Sequence, residues 1–217
     1  MMMENLDINS VIRAMLVHVP FDGWTNKAME ATQQDLGLSA EAMANMFPRG
    51  AISAVEAFVA LSDQDMIRRF AECEVRPEGV TATIKSLILI RLEGAAPHRE
   101  AVSRALQMLA RPQHAPVAMR TLYRSIDCMW RIAGDRSVDF NFYSKRALLA
   151  GVYSTTLAYW IANPGADQEK LERFVTQRLK ELAFLPKVTA PARQIAKTGM
   201  KMAGRMMGRL SPPWVRS

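Results

Sequence analysis

The chain of 217 residues holds two cysteines, Cys73 and Cys128. One pair cannot build a disulfide scaffold, and such sparse cysteine suits a reducing compartment. Aromatic residues make up 7% of the chain, beside 15 methionines, a balance that favours helices over sheet. Long apolar runs are missing as well. The longest charge-free stretch, 147–166, contains Ser154, Thr155, Thr156 and Asn163 and closes at Pro164-Gly165. It is too short and too polar for a membrane span and reads as a buried core helix. No basic segment precedes an apolar one near the start, where Glu4, Asp7 and a single Arg13 stand. Neither a signal peptide nor a transit peptide is therefore expected.

Catalytic constellations are also missing. His18, His98 and His114 stand far apart, with no partner at metal-ligand spacing. There is no Glu-x-x-His, no Gly-x-Ser-x-Gly and no glycine-rich phosphate loop, so no enzyme, metal or cofactor is expected. The two cysteines read as helix-face packing residues.

What is present is an apolar, helical chain with an uneven charge. Lys and Arg number 28 against 21 Asp and Glu, a net of +7. Seven of the basic residues (Lys187, Arg193, Lys197, Lys201, Arg205, Arg209 and Arg216) fall in 186–217, which has no acidic residue. Residues 1–185 are thus neutral, and the excess belongs to a cationic appendage.

Apolar residues recur at spacings of three and four, and breakers fall every 15 to 25 residues, which predicts an all-α chain. Helices are expected near 5–18 (stopped by Pro20), 25–36 (stopped at Gly37), 40–46 (capped by Ser39), 51–74, 79–94, 98–110, 116–133, 141–162 and 168–185. Pro186 is expected to end the ninth, and a tenth covers 191–210. Asp139 and Asp167 are candidate caps. The organisation reads as a front part, 1–75, a middle part, 76–186, and a tail, 187–217.

Residues 24–50 have the cadence of a helix-turn-helix: Ala28, Ala31 and Leu36, a turn at Gly37, then a short helix after Ser39. The helix that would enter a DNA groove, Ala40 to Met46, carries Glu41 and no cation. Across 18–66, Lys27 and Arg49 face seven acidic residues, a charge that repels a polyanion. No specific nucleic acid is expected as a partner. A transcriptional regulator with a hydrophobic ligand pocket is the alternative reading.

In the tail, Arg193, Lys197, Lys201, Arg205 and Arg209 recur every four residues. At about 100° per residue they share one side of a helix. Ile195, Met202, Met206 and Leu210 lie opposite. This is the pattern of a helix resting on an anionic membrane surface; a helix docked on its own domain or on a second copy has the same amphipathic form.

Two stretches point to a family. One comprises Gly23-Trp24, Leu36-Gly37-Leu38-Ser39 and Met46-Phe47-Pro48-Arg49-Gly50. The other is Asp139-Phe140-Asn141-Phe142-Tyr143-Ser144-Lys145-Arg146-Ala147, followed by Tyr153-Ser154-Thr155-Thr156. In order and spacing they resemble the "Coq-nine" family of accessory proteins in ubiquinone (coenzyme Q) biosynthesis, over about 5–210. The resemblance implies a TetR-like all-α fold of about nine helices with a degenerate helix-turn-helix, usually a homodimer. It implies a non-catalytic protein that binds isoprenoid lipids or quinone intermediates, meets membranes through a C-terminal amphipathic helix and serves a ubiquinone-pathway hydroxylase. Asp139, Asn141, Phe142 and Tyr143 would then belong to the partner surface; Phe142 stands where many members carry Trp. Read from the residues alone, Phe142 packs inward and Tyr143 bonds locally.

Candidate lipid-lining residues are Leu122, Ile126, Met129, Trp130, Leu148, Leu149, Val152, Leu157 and Trp160, with Leu87, Ile88, Leu89 and Tyr159 beside them. The same stripe is more often the pattern of a packed core. The implied location is the cytoplasm, peripherally attached to the inner membrane.

Overall fold

The computed structural model describes residues 6–134 and 140–188, with the side chains of 140–142 and 182–188 left aside. Among the described residues the chain forms nine α-helices: α1 (Ile8–Asp22), α2 (Asn26–Leu36), α3 (Ala40–Met46), α4 (Ala51–Ala71), α5 (Val80–Ala95), α6 (Arg99–Leu109), α7 (Ala115–Ile132), α8 (Phe140–Ala162) and α9 (Gln168–Val188). Single 3-10 turns, Ala96–His98 and Pro112–His114, precede α6 and α7. The chain divides into two compact units, Met1–Val175 and Thr176–Ser217.

Short polar side chains start several of these helices as the sequence predicts. Ser39 Oγ accepts from the Ala42 N–H at 3.1 Å, and Asp167 Oδ1 accepts from the Lys170 N–H at 2.7 Å, each pairing an amide that a helix start leaves open. Gly37 ends α2 at φ 62°, a left-handed conformation that glycine adopts without steric cost.

Two prolines do not act as the sequence reading expects. Pro20 lies inside α1, which runs on to Asp22. It falls in the last turn, where a missing N–H removes a single hydrogen bond, and its carbonyl accepts from Arg104 Nη2 at 3.0 Å. Pro186 likewise lies inside α9, which continues to Val188. Asp139 falls outside the described residues, as do the tail positions Arg193, Ile195, Lys197, Lys201, Met202, Arg205, Met206, Arg209 and Leu210.

In the first unit, α1 buries one stripe, Val11, Ile12, Met15, Leu16 and Val19, at the spacing of a single helix face. It meets Ala28 of α2, Val55, Phe58 and Leu61 of α4, and Ala101 and Ala105 of α6 in one core. Trp24 closes that core: its ring lies 5.1 Å from Phe58 between centroids, and its indole N–H donates to the Ala101 carbonyl at 2.9 Å. The buried indole thus keeps a partner, and α6 is held at a fixed height beside α1.

Candidate functional site: an apolar cavity with a polar end

Helices α4 to α8 enclose a cavity of about 420 Å³ within the first unit. Each helix contributes residues three or four apart, so one face of each looks inward. These are Phe58 and Ser62 on α4, Arg91, Leu92 and Ala95 on α5, Val102, Ala105, Leu106 and Leu109 on α6, Ala118, Thr121, Leu122 and Ser125 on α7, and Tyr153, Leu157 and Ala158 on α8. Alanines on four helices leave the room that larger side chains would fill. Ala110, Ser154 and Ala158 are both lining and exposed, and mark where the cavity meets the surface. The volume lies within the range of small-molecule sites.

The buried end is polar. Arg91 Nη1 donates to Asp63 Oδ1 at 2.5 Å, and both side chains are less than a tenth exposed. Arg91 Nε donates to the Tyr153 hydroxyl oxygen at 2.7 Å. The Ser125 hydroxyl lies 3.1 Å from Asp63 Oδ2. Burial works against the Arg91 charge, but the facing Tyr153 and Asp63 outweigh it and hold the guanidinium above its ordinary pKa. Cys128 sits close by, and burial, helped by Asp63, pushes its thiol up. It stays protonated, unlike a reactive thiolate. Among the described residues no three His, Cys, Asp or Glu side chains converge on a point that could hold a metal ion.

Of the lipid-lining residues expected from sequence, Leu122 and Leu157 reach the cavity. Ile126, Met129, Leu149 and Val152 are buried in α7 and α8 but do not line it. Leu148 and Trp130 are half-buried away from it, Trp130 beneath the Lys145 ammonium at 5.7 Å. Trp160 is also elsewhere: the Arg99 guanidinium covers its ring at 4.0 Å and caps its carbonyl at the end of α8. Phe58, Ser62, Arg91, Val102, Leu106, Leu109 and Tyr153 also line the cavity, and the sequence pattern does not single them out. One signal for Arg91 was available, since it is a lone cation inside the apolar run Leu87 to Leu92.

Of the expected partner surface, Asn141 and Phe142 belong to the first turn of α8 by their backbone, and Tyr143 is 69% exposed. Three residues on, the buried Arg146 ties α8 to α7 through Asp127 at 2.7 Å. In the front part, the two cations the sequence counts are both held by carboxylates, Lys27 by Asp22 at 2.6 Å and Arg49 by Glu56. Glu56 also takes Arg120 from α7.

Residues 115–185, which span α7, α8 and most of α9, match the COQ9 family model. The chain is 31% identical over 207 residues to the ubiquinone biosynthesis protein COQ9, mitochondrial, of Rattus norvegicus, covering 91% of this chain and 64% of that protein. It is 30% identical to the Homo sapiens protein of the same name, over 91% of this chain and 63% of the relative. The chain thus spans a little under two thirds of the length of these relatives. In fold it is similar to the crystal structure of a TetR transcriptional regulator from Nitrosomonas europaea, with a TM-score of 0.63 and 15% identity, covering 82% of this chain and 98% of that one. At that identity the likeness concerns the fold alone. In sequence the chain is thus similar to the COQ9 proteins of ubiquinone biosynthesis, and its all-α fold is TetR-like.

Proposed function

We propose that this chain is a non-catalytic, peripheral-membrane accessory protein of ubiquinone biosynthesis that binds isoprenoid quinone intermediates and presents them to a hydroxylase. The observation that carries this reading is the cavity: about 420 Å³ of mostly apolar space, reached from the surface, inside the first unit. Returning a prenyl chain to water costs roughly 0.8 kcal/mol per methylene. A carrier that shelters the chain lowers the cost of moving it out of a bilayer.

The basic amphipathic segment at 193–210 supplies the membrane contact in this reading, each cation near an anionic leaflet contributing about 1 kcal/mol. The surface around Tyr143 supplies the hydroxylase contact, where an exposed aromatic is a suitable anchor. The working form is a homodimer on the cytoplasmic face of the inner membrane. No helix among the described residues is long and apolar enough to cross a membrane. Paired cations and an acidic α3 weigh against a DNA-reading role for the front part.

The test is native mass spectrometry of the purified full chain with lipid extraction. Co-purifying prenyl lipid at about one per protomer is expected. A chain recovered empty, and still empty after incubation with prenyl quinone vesicles, overturns the proposal.

A further inference from the structure

The Tyr153 hydroxyl is one donor that the structure leaves unused. Its oxygen accepts from Arg91 Nε at 2.7 Å, yet its own proton has no acceptor among the described residues. The side chain is 6% exposed and lines the cavity. A buried hydroxyl proton without a partner is costly, and native interiors rarely leave one. The guanidinium that donates to the phenol oxygen also polarises it, which makes the remaining O–H a stronger donor. Arg91, in turn, already pairs with the buried Asp63, which also takes the half-exposed Arg124 at 3.4 Å, so Arg91 is not a cation in search of a counter-ion.

We propose that the cavity takes its ligand head first, with a neutral oxygen acceptor on an aromatic or quinone ring receiving the Tyr153 proton. The apolar chain then runs along Leu122 and Leu157 toward the mouth at Ala158. This assignment rests on the lipid-binding reading above and adds to it the ligand's direction and the residue that selects its head. The apolar walls set no preference among greasy ligands. The single donor at the closed end is what distinguishes an oxygenated head from a bare ring or from a carboxylate, whose charge Asp63 opposes.

Equilibrium dialysis of the full chain against three probes tests this: a decyl-substituted benzoquinone, decylbenzene and decanoic acid. The quinone is expected to bind about fivefold to tenfold tighter than decylbenzene, the factor of one neutral hydrogen bond, and tighter than decanoic acid. Tyr153→Phe is expected to bring the quinone down to the level of decylbenzene, with decylbenzene binding unchanged as the control for an intact cavity. Equal binding of quinone and decylbenzene to the unmodified chain overturns the head-first assignment and leaves lipid binding standing. So does tightest binding of decanoic acid, or a quinone preference that survives Tyr153→Phe. Binding of none of the three overturns the lipid reading, and this assignment with it.

Discussion

Arg91 of α5 and Asp63 of α4 form a salt bridge at 2.5 Å with both side chains buried. Between them they carry opposite charges into the interior, and neither is tolerable there alone. Asp63→Asn is expected to destabilise the chain by about 3–5 kcal/mol, read as a fall in the urea midpoint. The double change Asp63→Asn, Arg91→Met is expected to cost less than the sum of the two single changes. Strict additivity would show that the two residues act independently.

Filling the cavity separates binding from stability. Leu122→Trp puts a larger apolar side chain at the lining of the first unit. The expected outcome is at least about a tenfold loss of prenyl lipid retention, with a melting temperature within a few degrees of the parent, because overpacking of an open space costs little beside overpacking of a full core. Lipid extraction and a thermal melt on the same sample give both numbers.

Trp24→Phe keeps an aromatic ring beside Phe58 but removes the indole N–H that pairs the Ala101 carbonyl. A loss of about 1–3 kcal/mol is expected, from the orphaned carbonyl and the smaller ring together. Hydrogen exchange would show where it is felt, with α6 amides near Ala101 losing protection more than those of α9.

The helical bound at Val188 dictates the tail test. A chain truncated after Val188 keeps α9 whole, whereas a cut after 186 removes its last two residues. The truncated chain is expected to keep α1 to α9 folded, read as an unchanged melting temperature, and to lose co-sedimentation with anionic vesicles. Full sedimentation without 189–217 would remove the membrane role from that segment.

Two aspartates set an acid limb. Amide and side-chain hydrogen bonding hold the carboxyls of Asp7 at the start of α1, with Ser10, and Asp167 at the start of α9, with Lys170, below the usual aspartate range. A folded pKa below the unfolded one adds stability above the unfolded value and loses it as pH falls through the folded value. Both groups are on the surface, so the effect is local. Carboxyl NMR titration is expected to find both below free aspartate, and Asp167→Asn to flatten the acid response of the α9 amides.

Much of the helical frame was legible because its signals are local. The α3 span follows from Ser39 and Phe47-Pro48, and the α2 stop from Gly37. Pro20 and Pro186 misled because a proline near a helix end gives up one hydrogen bond and no more. The cavity was legible only in part. Its expected walls were the bulky residues of α7 and α8, but a hole is made where side chains are small, at Ala95, Ala105, Ala118 and Ala158. The polar end was hidden for a different reason: Asp63, Arg91 and Tyr153 lie 28 and 62 positions apart in pairs, and no periodicity links them.

Those alanines bear on how the chain changes over time. Substitution by valine or leucine at such positions adds contacts and commonly stabilises a protein. Mutational drift that answered to folding alone would therefore seal the hole, one methyl group at a time. A lineage that still needs the hole must keep discarding variants that fold better than itself. The purifying signature of that need is small residues held small at Ala95, Ala105, Ala118 and Ala158, while neighbouring packed positions trade freely among aliphatic side chains.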